Sequence, residues 1–189
     1  SGGNWSFKVS DKVYPLNDRS VDITDNTSLI PYQINNLEVS NNKMSFLRFD
    51  IPSSITNSHK IKLNLVVDGE STLNGGIAIH KYDQLGWGEN PDNKNIGIID
   101  HSLGATIATL TSLDNGTTVW DNGTAVSLDN GTTLSIDLTD KITSYGGEYS
   151  IAIRVLETTD KVTFFSKEKK MIDAAFSPHM KLWPNLSFK

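Results

Sequence analysis

The chain has 189 residues and a mass of 20.8 kDa, which is enough to bury a hydrophobic core without cross-links. Its net charge of -5, from 22 acidic and 17 basic side chains, argues against a nucleic-acid-binding protein, since such proteins normally carry a basic excess. The lack of cysteine excludes disulfides, zinc–thiolate sites and a cysteine nucleophile, and no apolar run reaches the roughly 18 to 20 residues that span a bilayer.

The start of the sequence carries no secretory signal. Ser1-Gly2-Gly3 has neither the basic segment nor the apolar segment that such a signal needs. We expect residues 1–189 to form one domain, of which residues 1–4 are a tag or linker remnant.

Short segments of alternating apolar and polar residues recur along the chain, and they predict β-strands. In the first of them, Leu47, Phe49 and Ile51 lie on one side, while Arg48 and Asp50 lie on the other. Asn, Asp, Ser and Thr between the segments favour turns. The predicted strands are 44–51, 60–67, 77–82, 106–110, 133–138, 149–156, 162–166 and 179–183.

Asn-Gly pairs predict tight turns in the second half of the chain. The heptapeptide Ser-Leu-Asp-Asn-Gly-Thr-Thr occurs at 112–118 and again at 127–133, and Asn122-Gly123 lies between the copies. Asn-Gly supplies the positive φ angles of a two-residue hairpin turn, so each copy predicts a turn that leads into a strand. The one helical turn that we predict is 139–145. About ten short strands separated by turns predict an all-β, antiparallel β-sandwich or barrel.

The sequence contains no recognisable catalytic frame. The histidines His59, His80, His101 and His179 form no paired metal-binding motif, and no Gly-x-Ser-x-Gly elbow is present. We therefore expect a protein that is not an enzyme.

Three aspartates near the start of the chain are candidates for a structural calcium site. Asp18, Asp22 and Asp25 lie close together, and carboxylate oxygens are the ligands that calcium prefers. Their spacing matches no EF-hand loop, so solvated loop carboxylates are the alternative.

Cationic residues at the outward positions of the predicted strands are the candidate binding site. Arginine binds carboxylates and sulfates in a bidentate manner, and aromatic rings stack on sugar faces, so a groove of such residues suits an anionic polysaccharide. The alternatives are a solvated strand face with scattered salt bridges, or a site on the loops that carry Trp87 and Trp120. The predicted groove residues are Arg48, Lys62, His80, Tyr82, Arg154 and Lys167.

A series of blocks along the chain forms a recognisable pattern. The blocks are 45–51 with the strand 61–67, then Trp87-Gly88-Glu89-Asn90-Pro91, then 134–142, 149–155, 164–168 and 178–182. In this order they resemble the DNRLRE-type domain grouped with carbohydrate-binding module family 96, and the resemblance covers roughly residues 20–183. The sequence departs from the family pattern at Asp92-Asn93-Lys94-Asn95, where Thr-Trp is common, and in the turn-rich ribbon at 110–134.

The resemblance implies a jelly-roll β-sandwich without catalytic activity, attached to secreted bacterial polysaccharide lyases, glycosidases or surface proteins. It also implies binding of an acidic polysaccharide such as alginate. We therefore expect a secreted or cell-surface module, monomeric and joined to other domains, whose partner is a polysaccharide and not a nucleic acid.

Two other functions remain open. One is a structural or adhesive spacer of a bacterial surface protein without glycan affinity, in which Trp87 and Trp120 pack into the body of the domain. The other is a small β-sandwich polysaccharide lyase that uses His80, Tyr82 and Arg154 as its acid–base set.

Overall fold

The structure is a computed structural model, and it describes residues 11–24, 36–56, 59–83, 85, 87, 103–113, 118–119 and 126–184. In these residues it contains fifteen β-strands and one short 3₁₀-helix at Lys167–Met171. No helix in the described ranges has the length and hydropathy to cross a membrane. The strands are β1 (Asp11–Val13), β2 (Asn17–Asp22), β3 (Asn36–Ser40), β4 (Lys43–Ile51), β5 (His59–Val66), β6 (Ser71–Leu73), β7 (Ile77–Tyr82), β8 (Thr106–Leu110), β9 (Ser112–Leu113), β10 (Thr118–Val119), β11 (Val126–Leu128), β12 (Thr133–Asp137), β13 (Gly147–Val155), β14 (Lys161–Phe165) and β15 (His179–Pro184).

Most of the strands form two antiparallel sheets of unequal size. The small sheet has four strands in the order β1-β15-β5-β12. The large sheet has nine, in the order β11-β6-β14-β3-β4-β13-β7-β8, and β2 also pairs with β4. The remaining strands, β9 and β10, pair with each other, and with no other strand among the described residues. The predicted all-β, antiparallel β-sandwich is confirmed, and its jelly-roll connectivity stays a prediction.

The hydrophobic core lies between the two sheets. Leu63 and Leu65 of the small sheet and Leu47, Phe49 and Ile151 of the large sheet are fully buried in one cluster. Burial of each such side chain contributes about 1.5 to 3 kcal/mol. The alternation predicted for β4 is therefore confirmed, since its odd-numbered residues from Leu47 onward face the core.

All eight predicted strands are present, each within a residue or two of its predicted bounds. The sequence pattern missed shorter or more polar strands, such as β2, whose sequence Asn-Asp-Arg-Ser-Val-Asp contains a single apolar side chain. The predicted remnant at 1–4 and the pair Asn122-Gly123 lie outside the described residues.

The helical turn predicted at 139–145 is wrong. The Leu138 carbonyl accepts hydrogen bonds from the backbone N–H groups of Lys141 at 3.1 Å and Ile142 at 3.4 Å, which closes one turn and no more. Asp140 has a φ of 63°, a left-handed conformation that does not propagate a right-handed helix. The segment is therefore a turn between β12 and β13.

The turn predicted at Asn130-Gly131 is confirmed and leads into β12. It is not a hairpin turn, because the strands on either side of it belong to different sheets. β11 pairs with β6 in the large sheet, whereas β12 pairs with β5 in the small sheet. The turn closes through a 3.0 Å hydrogen bond from the Thr132 N–H to the Asp129 carbonyl, and Gly131 supplies a φ of 86°. In the first copy of the heptapeptide, the paired strands β9 and β10 flank residues 114–117, which lie outside the described part.

Candidate functional site

Four of the predicted binding residues meet on the outward face of the large sheet. Arg48 lies directly opposite Ser150 of β13, and Ser150 lies opposite Tyr82 of β7. His80 and Arg154 occupy outward positions on the same two strands, further along the sheet. The structure thus brings together Arg48, His80, Tyr82 and Arg154.

A second apolar cluster lies on this face and is formed by Met44, Phe46, Tyr82, Trp87 and Ala152. Tyr82 is 1% exposed and Trp87 is 7% exposed. The Phe46 ring lies 4.9 Å from the Tyr82 ring and 6.5 Å from the Trp87 ring, between centroids. The Trp87 indole N–H donates to the Ser150 hydroxyl at 3.1 Å. Burial of these rings leaves neither Tyr82 nor Trp87 as a platform for a sugar.

Internal partners occupy the guanidinium of Arg48. Its Nη1 forms a 2.8 Å salt bridge with the Glu148 carboxylate, and its Nε donates to the Asn17 side-chain oxygen at 3.1 Å. Its Cζ lies 5.9 Å from the centre of the Trp87 ring. These contacts fix Arg48 as part of the sheet surface, with 13% of the side chain exposed.

His80 and Arg154 form a direct contact beside this cluster. The Arg154 Nε–H donates to His80 Nε2 at 2.9 Å, while His80 Nδ1 lies 3.2 Å from the Gly104 carbonyl oxygen. Burial lowers the pKa of His80, the bond to Gly104 opposes that effect, and the charge of Arg154 lowers the pKa further. The imidazole is therefore neutral at pH 7 and accepts from an arginine that is itself exposed.

The prediction that all six residues share one groove is wrong for Lys62 and Lys167. Lys62 lies on β5 of the small sheet, whose outward face is on the other side of the core. Lys167 begins the 3₁₀-helix after β14, and its ammonium forms a 2.8 Å salt bridge with Glu168. Alternation showed which side chains point outward, but it carries no information on which sheet a strand joins.

Two of the three predicted calcium ligands have other partners. Asp18 is 6% exposed, and its carboxylate accepts from the backbone N–H of Lys167 at 2.5 Å. Asp22 accepts from the backbone N–H of Thr24 at 2.9 Å. Within the described ranges, no three His, Cys, Asp or Glu side chains are grouped as a metal site requires. Asp25 and Trp120 lie outside those ranges, and the calcium site stays a prediction.

The outward face of the small sheet carries a group of lysines. The alternation of the sequence did not show that these lysines lie side by side. Lys12 of β1 lies opposite Lys181 of β15, Lys181 lies opposite Lys62 of β5, and Lys62 lies opposite Asp137 of β12. These positions form one row across strands that are about 4.8 Å apart. We call this surface the lysine face, and it comprises Lys12, Tyr14, Lys60, Lys62, Asn64, Ser135, Asp137, His179, Lys181 and Trp183.

The lysines of this face have no carboxylate partner within salt-bridge distance among the described residues. Asp137 lies at the end of the row, opposite Lys62. Burial alone would raise the pKa of its carboxyl group. Hydrogen bonds from Thr139 and the charges of Lys62 and Lys60 outweigh that effect and lower the pKa. In this lack of a salt bridge, the lysines of the lysine face differ from several other cations of the described part. The cations that form salt bridges are Lys43, Arg48, Lys81, Lys161 and Lys167.

Aromatic side chains flank the row of lysines on both sides. Trp183 lies opposite Lys60, is partly exposed, and has the Lys181 ammonium 5.7 Å from its ring centre. On the other side, the Tyr14 ring lies 5.7 Å from the ring of His179. A sheet surface that combines ammonium groups with partly exposed rings has the chemistry to bind an anionic sugar polymer.

His179 is the buried member of the lysine face. It is 6% exposed, its Nδ1 lies 2.8 Å from the Ser177 carbonyl oxygen, and its Nε2 lies 3.3 Å from the Asn64 side-chain nitrogen. Burial lowers its pKa, the bond to Ser177 opposes this, and the charges of Lys12 and Lys181 add to the lowering. The ring is therefore neutral at pH 7, and the positive charge of the face comes from its lysines.

No protein-family model matches this chain, and no curated protein matches it significantly. The DNRLRE-type family therefore stays a prediction from the sequence.

Proposed function

We propose that the chain is a non-catalytic carbohydrate-binding module that takes an anionic polysaccharide on its lysine face. The observation that carries the proposal is the row of Lys12, Lys181 and Lys62, which lie directly opposite one another without a salt bridge in the described part of the chain. Like charges in opposite positions destabilise a sheet, by up to about 1 kcal/mol per pair. A polyanion with closely spaced acid groups would remove that repulsion when it binds.

The rest of the lysine face supplies contacts for sugar rings and sugar hydroxyls, which the binding of a simple anion would not need. Trp183 offers an apolar ring surface against which a sugar ring can pack. Asn64 and Ser135, both partly exposed, offer hydrogen bonds to sugar hydroxyls. The net charge of -5 does not oppose such a site, because the potential at a surface is set mainly by nearby charges.

Affinity electrophoresis tests the proposal. We expect gels that contain a polyuronate or a sulfated glycan to retard the protein, and gels with a neutral glucan to leave its mobility unchanged. The double variant Lys62→Ala, Lys181→Ala should bind roughly 5- to 30-fold more weakly, from about 0.5 to 1 kcal/mol for each lost ion pair.

The matched control removes the same charge from the large sheet. Lys81 is 49% exposed on β7 and Lys161 is 63% exposed on β14. The double variant Lys81→Ala, Lys161→Ala should keep the affinity of the unchanged protein within about twofold, since both residues lie on strands of the large sheet and are not part of the lysine face. Equal losses in the two double variants, or no retardation in any anionic gel, would refute the proposal.

The burial of Trp87 favours a second candidate function, a structural or adhesive spacer of a surface protein without glycan affinity. A spacer needs no exposed aromatic platform on its loops, and Trp87 packs into the second apolar cluster. Electrophoresis separates the two functions, because a spacer migrates equally in every gel. Burial of His80 and Tyr82, at 6% and 1% exposure, is in turn unfavourable for a lyase reaction at those residues.

We place the module outside the cell, secreted or on the cell surface and joined to other domains, since its proposed ligand is a polysaccharide. Release of an unsaturated uronate product from any of the acidic polymers would overturn the assignment as non-catalytic. The absorbance of that product gives a direct assay.

A further inference from the structure

Among the residues that the structure describes, the exposed guanidinium of Arg154 has one hydrogen-bond partner, the neutral His80. Its Nε–H donates to His80 Nε2 at 2.9 Å, and it forms no salt bridge with any described residue. Arg48, on the neighbouring strand of the same sheet face, is paired with a carboxylate. Arg154 therefore keeps its Nη groups for a ligand.

The contact fixes the tautomer of His80. Because Nε2 accepts from Arg154, the ring proton lies on Nδ1 and is donated to the Gly104 carbonyl oxygen at 3.2 Å. The Thr106 hydroxyl lies 3.3 Å from the same Nδ1. A second proton on Nε2 would make His80 a cation. Its Nε2–H would then point at the Arg154 Nε–H, and the two positive charges would repel each other.

We propose that Arg154 and His80 form an oxyanion-binding site in which a carboxylate or sulfate group binds together with one proton on His80. His80 Nε2 takes the proton from solvent, and the Arg154 Nε–H leaves that nitrogen. One oxygen of the anion then accepts from His80 Nε2–H and another accepts from the guanidinium. The anion and the proton bring opposite charges, so the site gains no net charge when both bind.

An acidic side chain near this pair, Asp83 beside Gly104, already forms a 3.0 Å salt bridge with Lys81. Of the described residues, those whose polar groups contact His80 are Arg154 on β13, Gly104 just before β8 and Thr106 at its start. Arg154 is the charged group among them, and its charge lowers the pKa of His80. A bound oxyanion would cancel that contribution.

The site is independent of the lysine face. It lies on the outward side of the large sheet, whereas the lysine face is the outward side of the small sheet. Failure of glycan binding at the lysine face would therefore leave this inference standing, and failure of this inference would leave glycan binding standing.

A histidine titration followed by NMR tests the coupling. The His80 ring protons are titrated in sodium chloride and again in sodium acetate at equal ionic strength, and then with a short uronate oligomer as the probe. We expect acetate to move the His80 midpoint to higher pH, and to bind roughly tenfold more tightly below that midpoint than above it.

The two probes distinguish the source of the oxyanion. If the oligomer acts at a lower carboxylate concentration than acetate, the site takes the acid group of a glycan. If the two act equally per carboxylate, the site takes free anions. Identical His80 midpoints in all three solutions would overturn the proposal.

Two variants make the result specific. Arg154→Gln should abolish the effect of acetate on His80, while Lys161→Gln, which removes an exposed cation from another strand of the same sheet, should preserve it. His179 titrates in the same spectra beside Lys12 and Lys181, so a response of His179 reports anion binding at the lysine face and should survive Arg154→Gln. An acetate effect that survives Arg154→Gln would show that Arg154 is not part of the site.

Discussion

Lys12, Lys181 and Lys62 form the lysine row. Reversal of one charge in this row should stabilise the protein and at the same time weaken its binding of anionic glycans. Lys181 lies between Lys12 and Lys62. If the ammonium groups spread to about 8 Å apart, each repulsion is about 0.5 kcal/mol in water. Lys181→Glu turns two repulsions into two attractions, a change of about 2 kcal/mol before screening. Loss of the contact between Lys181 and Trp183 costs about 0.5 kcal/mol.

The expected net gain for Lys181→Glu is about 1 kcal/mol in roughly 10 mM salt, where the Debye length is about 30 Å. In 1 M salt the Debye length is about 3 Å, so the gain should vanish. Urea unfolding at both salt concentrations measures the difference, and affinity electrophoresis measures the loss of binding.

Lys161→Glu is the mirror-image control. Its ammonium lies 3.3 Å from the Glu38 carboxylate, so the same substitution should destabilise the protein at low salt. If Lys181→Glu lowers the free energy of unfolding at low salt, or raises it by an amount that salt does not change, then the lysine row is not under electrostatic strain.

Three further predictions concern the stability of the fold. Asp160 is 1% exposed, and its carboxylate accepts hydrogen bonds from the backbone N–H groups of residues 74 to 76 at 2.5, 2.9 and 3.2 Å. Asp160→Ala should therefore lower the free energy of unfolding in urea by about 2 to 4 kcal/mol. Asp160→Asn keeps one acceptor oxygen and should cost less, and equal costs of the two substitutions would contradict the stabilising role of the hydrogen bonds. The hydroxyl of Tyr149 is buried without a hydrogen-bond partner among the described residues, so Tyr149→Phe should raise the free energy of unfolding by about 1 kcal/mol; a decrease would reveal a partner for that hydroxyl. Burial lowers the folded-state pKa of both His80 and His179 below 6.5, so the unfolded chain binds more protons and stability is lost as the pH falls from 6.5 toward the folded-state values. Urea midpoints measured across this range should fall less steeply in His179→Gln, and a slope equal to that of the unchanged protein would exclude His179 as a contributor.

The sequence predicted the strands and their inward faces because alternation is a local property. In β5 and in residues 47–51 of β4 the buried side chains follow the period of two that the sequence shows. Residues 44–47 of β4 and 149–153 of β13 are buried on both faces of the sheet. Long-range pairing has no such local signature. Lys62 was correctly predicted to point outward, but its strand joins the small sheet, and so it lies beside Lys181 and far from Arg48.

The second apolar cluster did have a signal in the sequence. Phe46 is a large apolar residue at an outward position of β4, where a solvated face would carry a polar side chain. That position indicates a covering group, and the covering group is Trp87. Alternation treats every outward residue as exposed, and for this reason Tyr82, His80 and Arg48 were predicted to be accessible.

The availability of a cation for a ligand depends on its internal partners as well as on its direction. Arg48 points outward as predicted, yet Glu148, Asn17 and Trp87 already satisfy it, and a glycan carboxylate would have to displace them. Lys181 loses nothing comparable when it binds an anion, because its neighbours across the strands are Lys12 and Lys62. An anion that approaches Lys181 gains attraction from three ammonium groups and relieves their mutual repulsion. For this reason the lysine face, rather than the more arginine-rich face of the large sheet, is where we expect a polyanion to bind.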